Sequence, residues 1–204
     1  MILVLDYNVG NVNSVIRAAK LFASDVIFSN KKEDIVSAKK IIMPGQGSFD
    51  FAMNNINKLN IYNIIRETVI EKKTPILGIC LGMQILATSG NENSYCKGLD
   101  LISGRVEKLN CSEKYLPHIG WNSIFFEKKN NLFNGIENET DYYFLHSYHF
   151  ICENNKNIQA TCNYQNKFNA IIQKDNVLGI QFHPEKSLNN GLILLKNFIK
   201  DDER

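Results

Sequence analysis

Apolar positions fall into short runs separated by turn-forming residues, and the spacing within each run predicts its element. Ile2-Leu3-Val4-Leu5, stopped by Asp6, is too short for a helix and suits a buried strand. A turn-rich stretch from Asp6 to Asn11 follows, and then Val12, Val15, Ile16 and Ala19 recur at helical spacing. Val26-Ile27-Phe28 and Lys40-Ile41-Ile42-Met43 predict further strands. The second ends at Pro44-Gly45-Gln46-Gly47-Ser48-Phe49, a loop that opens another helix. Ile61 to Ile70 reads as helix, Pro75 to Ile79 as a buried strand, and Leu81 to Ala87 as the beginning of a helix.

Strands alternating with helices in this way predict an α/β fold with a mostly parallel central sheet flanked by helices, its functional groups placed where strands run into loops. The second half has a different texture. Leu101-Ile102, Val106 to Leu109, Ile124 to Phe126, Tyr142 to Leu145, Phe150-Ile151, Ala170 to Ile172 and Val177 to Phe182 read as strands joined by turns. A last helix, Gly191 to Ile199, presents Leu192, Leu195, Phe198 and Ile199. No repeat, low-complexity tract or linker divides the chain, so residues 1–204 are expected to form one domain.

Composition narrows the function classes. With 44% hydrophobic and 22% charged residues, the 204-residue chain has an ordinary globular mix and no apolar run long enough to span a bilayer. A net charge of +2, with Lys and Glu scattered, argues against nucleic acid as the main ligand. The first residues lack a basic lead and a cleavage site, which points to the cytoplasm. Cys80, Cys96, Cys111, Cys152 and Cys162 are odd in number and contain no C-x-x-C pair, fitting neither a disulfide framework nor a zinc site.

Only Cys80 carries a frame that suggests chemistry. Gly78-Ile79-Cys80-Leu81-Gly82 places it where a buried strand turns into a helix, a G-x-nucleophile-x-G elbow with cysteine for serine. The glycines let strand and helix approach closely. A helix N-terminus would favour the thiolate, lowering its pKa from about 8.5, and the Leu81 N–H would point toward a developing oxyanion. The other four cysteines have no such frame and read as buried thiols.

Among His118, His146, His149 and His183, the last is the candidate base. It follows an apolar strand in Gln181-Phe182-His183-Pro184-Glu185, where two-residue periodicity in an extended segment would set His183 and Glu185 on one side. Nucleophile, base and orienting carboxylate then appear in order, as in a catalytic triad. H-x-E alone is weak; combined with the elbow it is specific.

At these residues the sequence resembles the class I, triad-type glutamine amidotransferases, and within them the glutaminase-subunit family of imidazole glycerol phosphate synthase. The resemblance runs nearly end to end. It rests on Asp6-Tyr7-x-x-Gly10-Asn11, Pro44-Gly45-x-Gly47, the Cys80 elbow with Met83-Gln84, Pro117-His118-Ile119-Gly120-Trp121-Asn122, His146-Ser147-Tyr148 and Gln181-Phe182-His183-Pro184-Glu185-Lys186-Ser187. It implies a flavodoxin-like glutamine amidotransferase fold in which Cys80 attacks the side-chain amide of L-glutamine, His183 moves protons and Glu185 holds His183. Gln46 and Gly47, with Leu81, would supply the oxyanion hole. Gln84, Glu92 and the backbone of His146, Ser147 and Tyr148 would bind substrate. It also implies no metal, no cofactor, and a heterodimer with a (β/α)8-barrel cyclase partner, met through Asn11, Trp121, Tyr143 and Lys186. Gln46 departs from the small apolar residue usual in the family, and Asn8 from a usual glycine.

Plainer readings stand beside these. Gln84 could face solvent, Glu92 could sit on a loose loop, Trp121 could be a core aromatic and Lys186 a solvated charge. Rival functions are a paralogous glutaminase subunit feeding another synthase, such as one making amidated surface sugars, a Cys-His-Glu peptidase or γ-glutamyl hydrolase, and a non-enzymatic binding module.

Overall fold

The computed structural model describes residues 1–10, 12–112, 115–128 and 130–201. Strands β1 (Ile2–Leu5), β2 (Val26–Ser29), β3 (Lys40–Met43) and β4 (Ile76–Ile79) alternate with helices α1 (Asn13–Lys20), α2 (Lys32–Ser37), α3 (Phe49–Lys58) and α4 (Tyr62–Ile70). A single helical turn, α5 (Leu81–Gln84), leads to the short strands β5 (Ser89–Asn91) and β6 (Tyr95–Lys97). Next come β7 (Gly104–Lys108), β8 (His118–Phe126), β9 (Asp141–His146) and β10 (Tyr148–Cys152). Strands β11 (Ile158–Tyr164), β12 (Asn166–Lys174) and β13 (Val177–Ile180) precede α6 (Leu188–Lys200).

Nine strands form the main sheet in the order β2-β1-β3-β4-β13-β12-β11-β8-β9. The pairings from β2 to β13 are parallel and those from β13 to β9 antiparallel, so the sheet is mixed, with an α/β half and a meandering extension. The continuous apolar runs follow from burial on both faces. In β1, Leu3 and Leu5 join one core layer with residues of α2, α3 and α4, while Ile2 and Val4 join the other with residues of α1 and α6. A second sheet, β10-β7-β5-β6, packs Val106 and Phe150 onto the first of these layers. Lys40 at the start of β3 is buried, and its ammonium donates to the carbonyls of Phe198 (2.8 Å) and Ile199 (3.2 Å), where the α6 dipole is negative.

Four expectations about elements are corrected. The helix after Cys80 is one turn, because beyond Gln84 the chain tightens into three-residue turns, with Leu86 donating to Met83 and Ala87 to Gln84. Leu101 and Ile102 are not a strand; both fill the core from bends. Strand β13 stops at Ile180, although Gln181 still donates its N–H to Ala170. Helix α6 begins at Leu188, three residues before the expected Gly191. Among the described residues no helix is long and apolar enough to cross a membrane.

Candidate active site

Cys80 leaves β4 with φ 54° and ψ −109°, a conformation costly for any residue with a side chain. It persists because both flanks are fixed. The Cys80 N–H donates to Ile180 O at 2.8 Å, and Gln84 N–H closes the turn onto Cys80 O. The glycines are demanded by space. A Cβ at Gly82 would lie 1.8 Å from Met43 O, and one at Gly78 would lie 2.5 Å from Gly82 O. Tyr7 packs under the same corner, fully buried, its hydroxyl donating to Pro44 O at 2.5 Å. Burial, then the neighbouring Cys80 charge, pushes its phenol far above the ordinary range.

Parallel pairing of β4 with β13 brings His183 to Cys80. Ile79 is in register with Ile180, so the chain leaving β13 passes beside Cys80 and delivers His183 two residues beyond Gln181. His183 N–H donates to Tyr143 O at 2.9 Å, and Ser187 Oγ donates to His183 O at 2.6 Å. The His183 Nδ1–H donates to Glu185 Oε1 at 2.8 Å, with both side chains almost wholly buried. Pro184–Lys186 is a 3-10 turn, not the extended segment expected. The contact across one intervening residue therefore comes from the turn, which folds Glu185 back on the ring. Burial disfavours a charged imidazole, but the neighbouring Cys80 and the Glu185 carboxylate outweigh it and raise the His183 pKa to about 10. His183 Nε2 is buried without a hydrogen-bond partner among the described residues, and the neighbouring Cys80 is the largest influence that raises the ring's pKa.

Above Cys80 opens a cavity of about 280 Å³, small enough for one amino acid. Gln46, Gly47 and Leu81 line one side, and their N–H groups have no backbone acceptor among the described residues. Gly47 has φ +116°, a backbone conformation open to glycine, and a Cβ there would meet nothing within 4 Å. Gln84 also lines the cavity; it is buried and donates to Tyr148 O (2.9 Å) and Gln181 Oε1 (3.2 Å). Glu92 is held in the wall, one carboxylate oxygen accepting the Phe49 N–H (2.7 Å) and its carbonyl accepting Tyr148 Oη–H (3.3 Å). Burial raises its pKa, an effect opposed by Phe49 N–H.

His146, Ser147 and Tyr148 complete the wall. His146 Nδ1 must donate to Tyr148 O (2.9 Å), so its Nε2 accepts from His118 Nδ1–H at 3.1 Å. His118 itself is stacked between Phe144 and Tyr164. Burial, despite the Tyr148 carbonyl, lowers the His146 pKa to about 3. Because the folded pKa lies below the ordinary 6.5, unfolded chains bind the extra proton first, and stability falls as pH drops from 6.5 toward 3. The expected slope from this ring is about 1.4 kcal/mol per pH unit over that window. Urea midpoints across the window, with imidazole NMR showing His146 still neutral, check it; a ring that titrates normally contradicts it.

Trp121 is 49% exposed on β8 and meets Tyr143 of β9 edge-on at 6.2 Å, while Lys186 Nζ sits 5.8 Å over the Tyr143 ring. These three make one surface cluster. Asn11 lies outside the described residues. Ile119, 58% exposed, extends the cluster toward the cavity, since its cross-strand partner Leu145 lines it. The sequence motifs contain Ile119, Tyr7 and Gln181 without singling out any of them as part of the site. Among the described residues, no group of His, Cys, Asp and Glu is arranged to hold a metal ion.

The chain matches the family model described as glutamine amidotransferase class-I over residues 3–201. Its relatives include imidazole glycerol phosphate synthase subunit HisH 2 of Methanococcus maripaludis, 44% identical over 201 residues and covering 98% of this chain and 99% of the relative. Subunit HisH 1 of Campylobacter jejuni is also 44% identical, over 98% of this chain and 100% of the relative. Among solved structures, one described as a glutamine amidotransferase superposes with a TM-score of 0.75 at 18% identity, over 97% of this chain and 96% of the other. A chain of PurLQS from Thermotoga maritima gives 0.71 at 17% identity, over 97% and 96%. At such identities the two structures speak for the fold alone.

Proposed function

Given that the chain belongs to the class I glutamine amidotransferases, matched over residues 3–201, we propose that it is the glutaminase subunit of imidazole glycerol phosphate synthase. It hydrolyses L-glutamine to glutamate and passes the ammonia to a (β/α)8-barrel cyclase. Full-length relatives bearing that subunit name support the reading. The observation that carries the chemistry is the buried, charged His183–Glu185 pair facing Cys80 on the floor of an amino-acid-sized cavity.

Cys80 Sγ attacks the amide carbon of glutamine, and the C–N bond breaks as His183 gives its proton to the departing ammonia. The same ring then takes a proton from water, whose hydroxide cleaves the thioester to glutamate and releases the Cys80 thiolate beside the recharged imidazole. Leu81 N–H and the peptide at Gln46-Gly47 receive the oxyanion. Gln84, Glu92 and the backbone of residues 146–148 bind the amino-acid end, Glu92 taking the α-ammonium. Donation at position 46 is by backbone, so glutamine in place of a small residue leaves it available.

The partner docks on the Trp121, Tyr143 and Lys186 cluster, with Asn11 assigned to the same interface by resemblance. Exposed aromatic and aliphatic surface beside the cavity mouth supports this, an aromatic anchor being the usual source of interface energy. The whole chain is read as one glutamine amidotransferase domain, and its unbridged cysteines support a reducing, cytoplasmic setting. Numbered subunit names among the relatives favour keeping one alternative, a paralogue serving a different acceptor.

Co-purification with the barrel cyclase tests the choice. The expected result is a one-to-one complex whose glutamine hydrolysis rises well above that of the isolated chain and is coupled to imidazole glycerol phosphate formation. A chain that ignores the cyclase yet hydrolyses glutamine with another synthase would establish the paralogue.

A further inference from the structure

We propose, resting on the reading of Cys80 as nucleophile, that Gln181 is a catalytic residue of this glutaminase: its side-chain amide donates to the Cys80 sulfur and selects the thiolate. The sulfur has two polar neighbours of opposite preference. Leu145 O, 3.7 Å away, accepts from an S–H and favours the thiol. Gln181 Nε2, also at 3.7 Å, donates to the sulfur and favours the thiolate.

Three features make this donor a fixed part of the site. Register is the first: Ile79 pairs with Ile180 and the Cys80 N–H donates to Ile180 O at 2.8 Å, so Cys80 and Gln181, which leave the ends of the parallel strands β4 and β13, are held side by side. The second is burial. Gln181 is fully inaccessible, where an amide is tolerated only if its polar atoms are partnered. The third is orientation. Gln84 Nε2 donates to Gln181 Oε1 at 3.2 Å and is anchored by Tyr148 O at 2.9 Å. Rotating the Gln181 amide by half a turn would set two NH2 groups against each other and press an oxygen on the sulfur. The amide therefore has one acceptable orientation, with its N–H groups toward Cys80. Helix α5 is a single turn, so little of the thiolate's stabilisation comes from a helix dipole, and a local donor carries more of it.

The test measures iodoacetamide alkylation of Cys80 against pH, read by mass spectrometry of the Cys80 peptide, in the full chain and in Gln181→Met. The titratable groups around the sulfur, His183 with its Glu185 partner and Tyr7, are present in both proteins. Loss of the donor is expected to raise the alkylation midpoint by about one pH unit and lower kcat about tenfold, with KM for glutamine changing less. A folded Gln181→Met with an unchanged midpoint overturns the assignment. Should that variant not fold, Gln181→Leu carries the comparison, again removing the donor without adding a charge; an unmoved midpoint is again fatal. Wild-type glutamine turnover is followed in parallel with the cyclase present. If turnover is absent while the midpoint still shifts, the glutaminase reading falls and the donor assignment stands.

Discussion

Cys80→Ala is expected to stop ammonia release from glutamine, by at least ~10³-fold, while leaving cyclase-coupled synthesis from ammonium salts intact. The size of the first effect follows from the geometry. His183, Gln84, Leu81 and Gln46-Gly47 line one cavity with Cys80, and Glu185 holds His183; residues that act as a unit lose nearly everything when one is removed. Intact ammonia-dependent synthesis follows because the alanine changes no exposed surface: Cys80 is 7% exposed, and the Trp121 cluster stands on other strands. Loss of both activities would refute the separation of ammonia production from its use. A stability measurement on the same series adds a second check. Cys80 holds φ 54° and ψ −109°, so Cys80→Gly should be more stable than Cys80→Ala by about 1 kcal/mol, glycine alone relieving the backbone strain. Equal stabilities would mean that the elbow is not strained.

The largest effect on folding is expected at Gly82. An alanine Cβ there would lie 1.8 Å from the carbonyl oxygen and 2.8 Å from the carbonyl carbon of Met43, which is backbone in β3 inside the main sheet. Neither side can yield, because β3 is paired on both edges, to β1 and β4. Gly82→Ala should cost more than about 4 kcal/mol, beyond ordinary overpacking and a large share of a domain's stability. Thermal unfolding should move down by roughly 10 °C or more, or the protein should not accumulate in soluble form. Gly10→Ala is the control: a Cβ there meets nothing within 4 Å and should shift stability by no more than about 0.5 kcal/mol. A benign Gly82→Ala would show that the elbow tolerates a wider separation from β3.

How far these features are legible in the sequence depends on where their cause lies. The strand of Cys80 and its glycine frame are local, and a run of apolar residues between breakers discloses them. The helices α1, α4 and α6 carry apolar stripes that sequence periodicity detects. By contrast α2 buries little beyond Ile35, so Lys32–Ser37 shows no stripe and gives no helical signal. Strand β11 lies inside the sheet between β8 and β12, with Gln159 to Cys162 consecutively buried; its mixed polar and apolar residues obscure the two-residue alternation. The β5–β6 hairpin is polar because it lies at the margin of the small sheet, while Leu101 and Ile102 are apolar because the core needs side chains there, not a strand. At the site, the motifs bring out Cys80, His183 and Glu185, but the 3-10 turn joining the last two and the amide of Gln181 beside the sulfur depend on tertiary packing. The histidine pair His118–His146 likewise needs β8 beside β9, a pairing no local pattern specifies.

Strand β13 enters the middle of the main sheet, between β4 and β12, and the sulfur and Gln181 that it brings together are 101 residues apart in the chain. A chain synthesised only as far as β12 therefore holds a thiol without its imidazole. Such a half-made molecule cannot squander cellular glutamine before it is whole. The corresponding hazard is that β4 then offers an unsatisfied backbone edge to neighbouring nascent chains, so rapid arrival of the last strands protects against clumping as well as completing the enzyme.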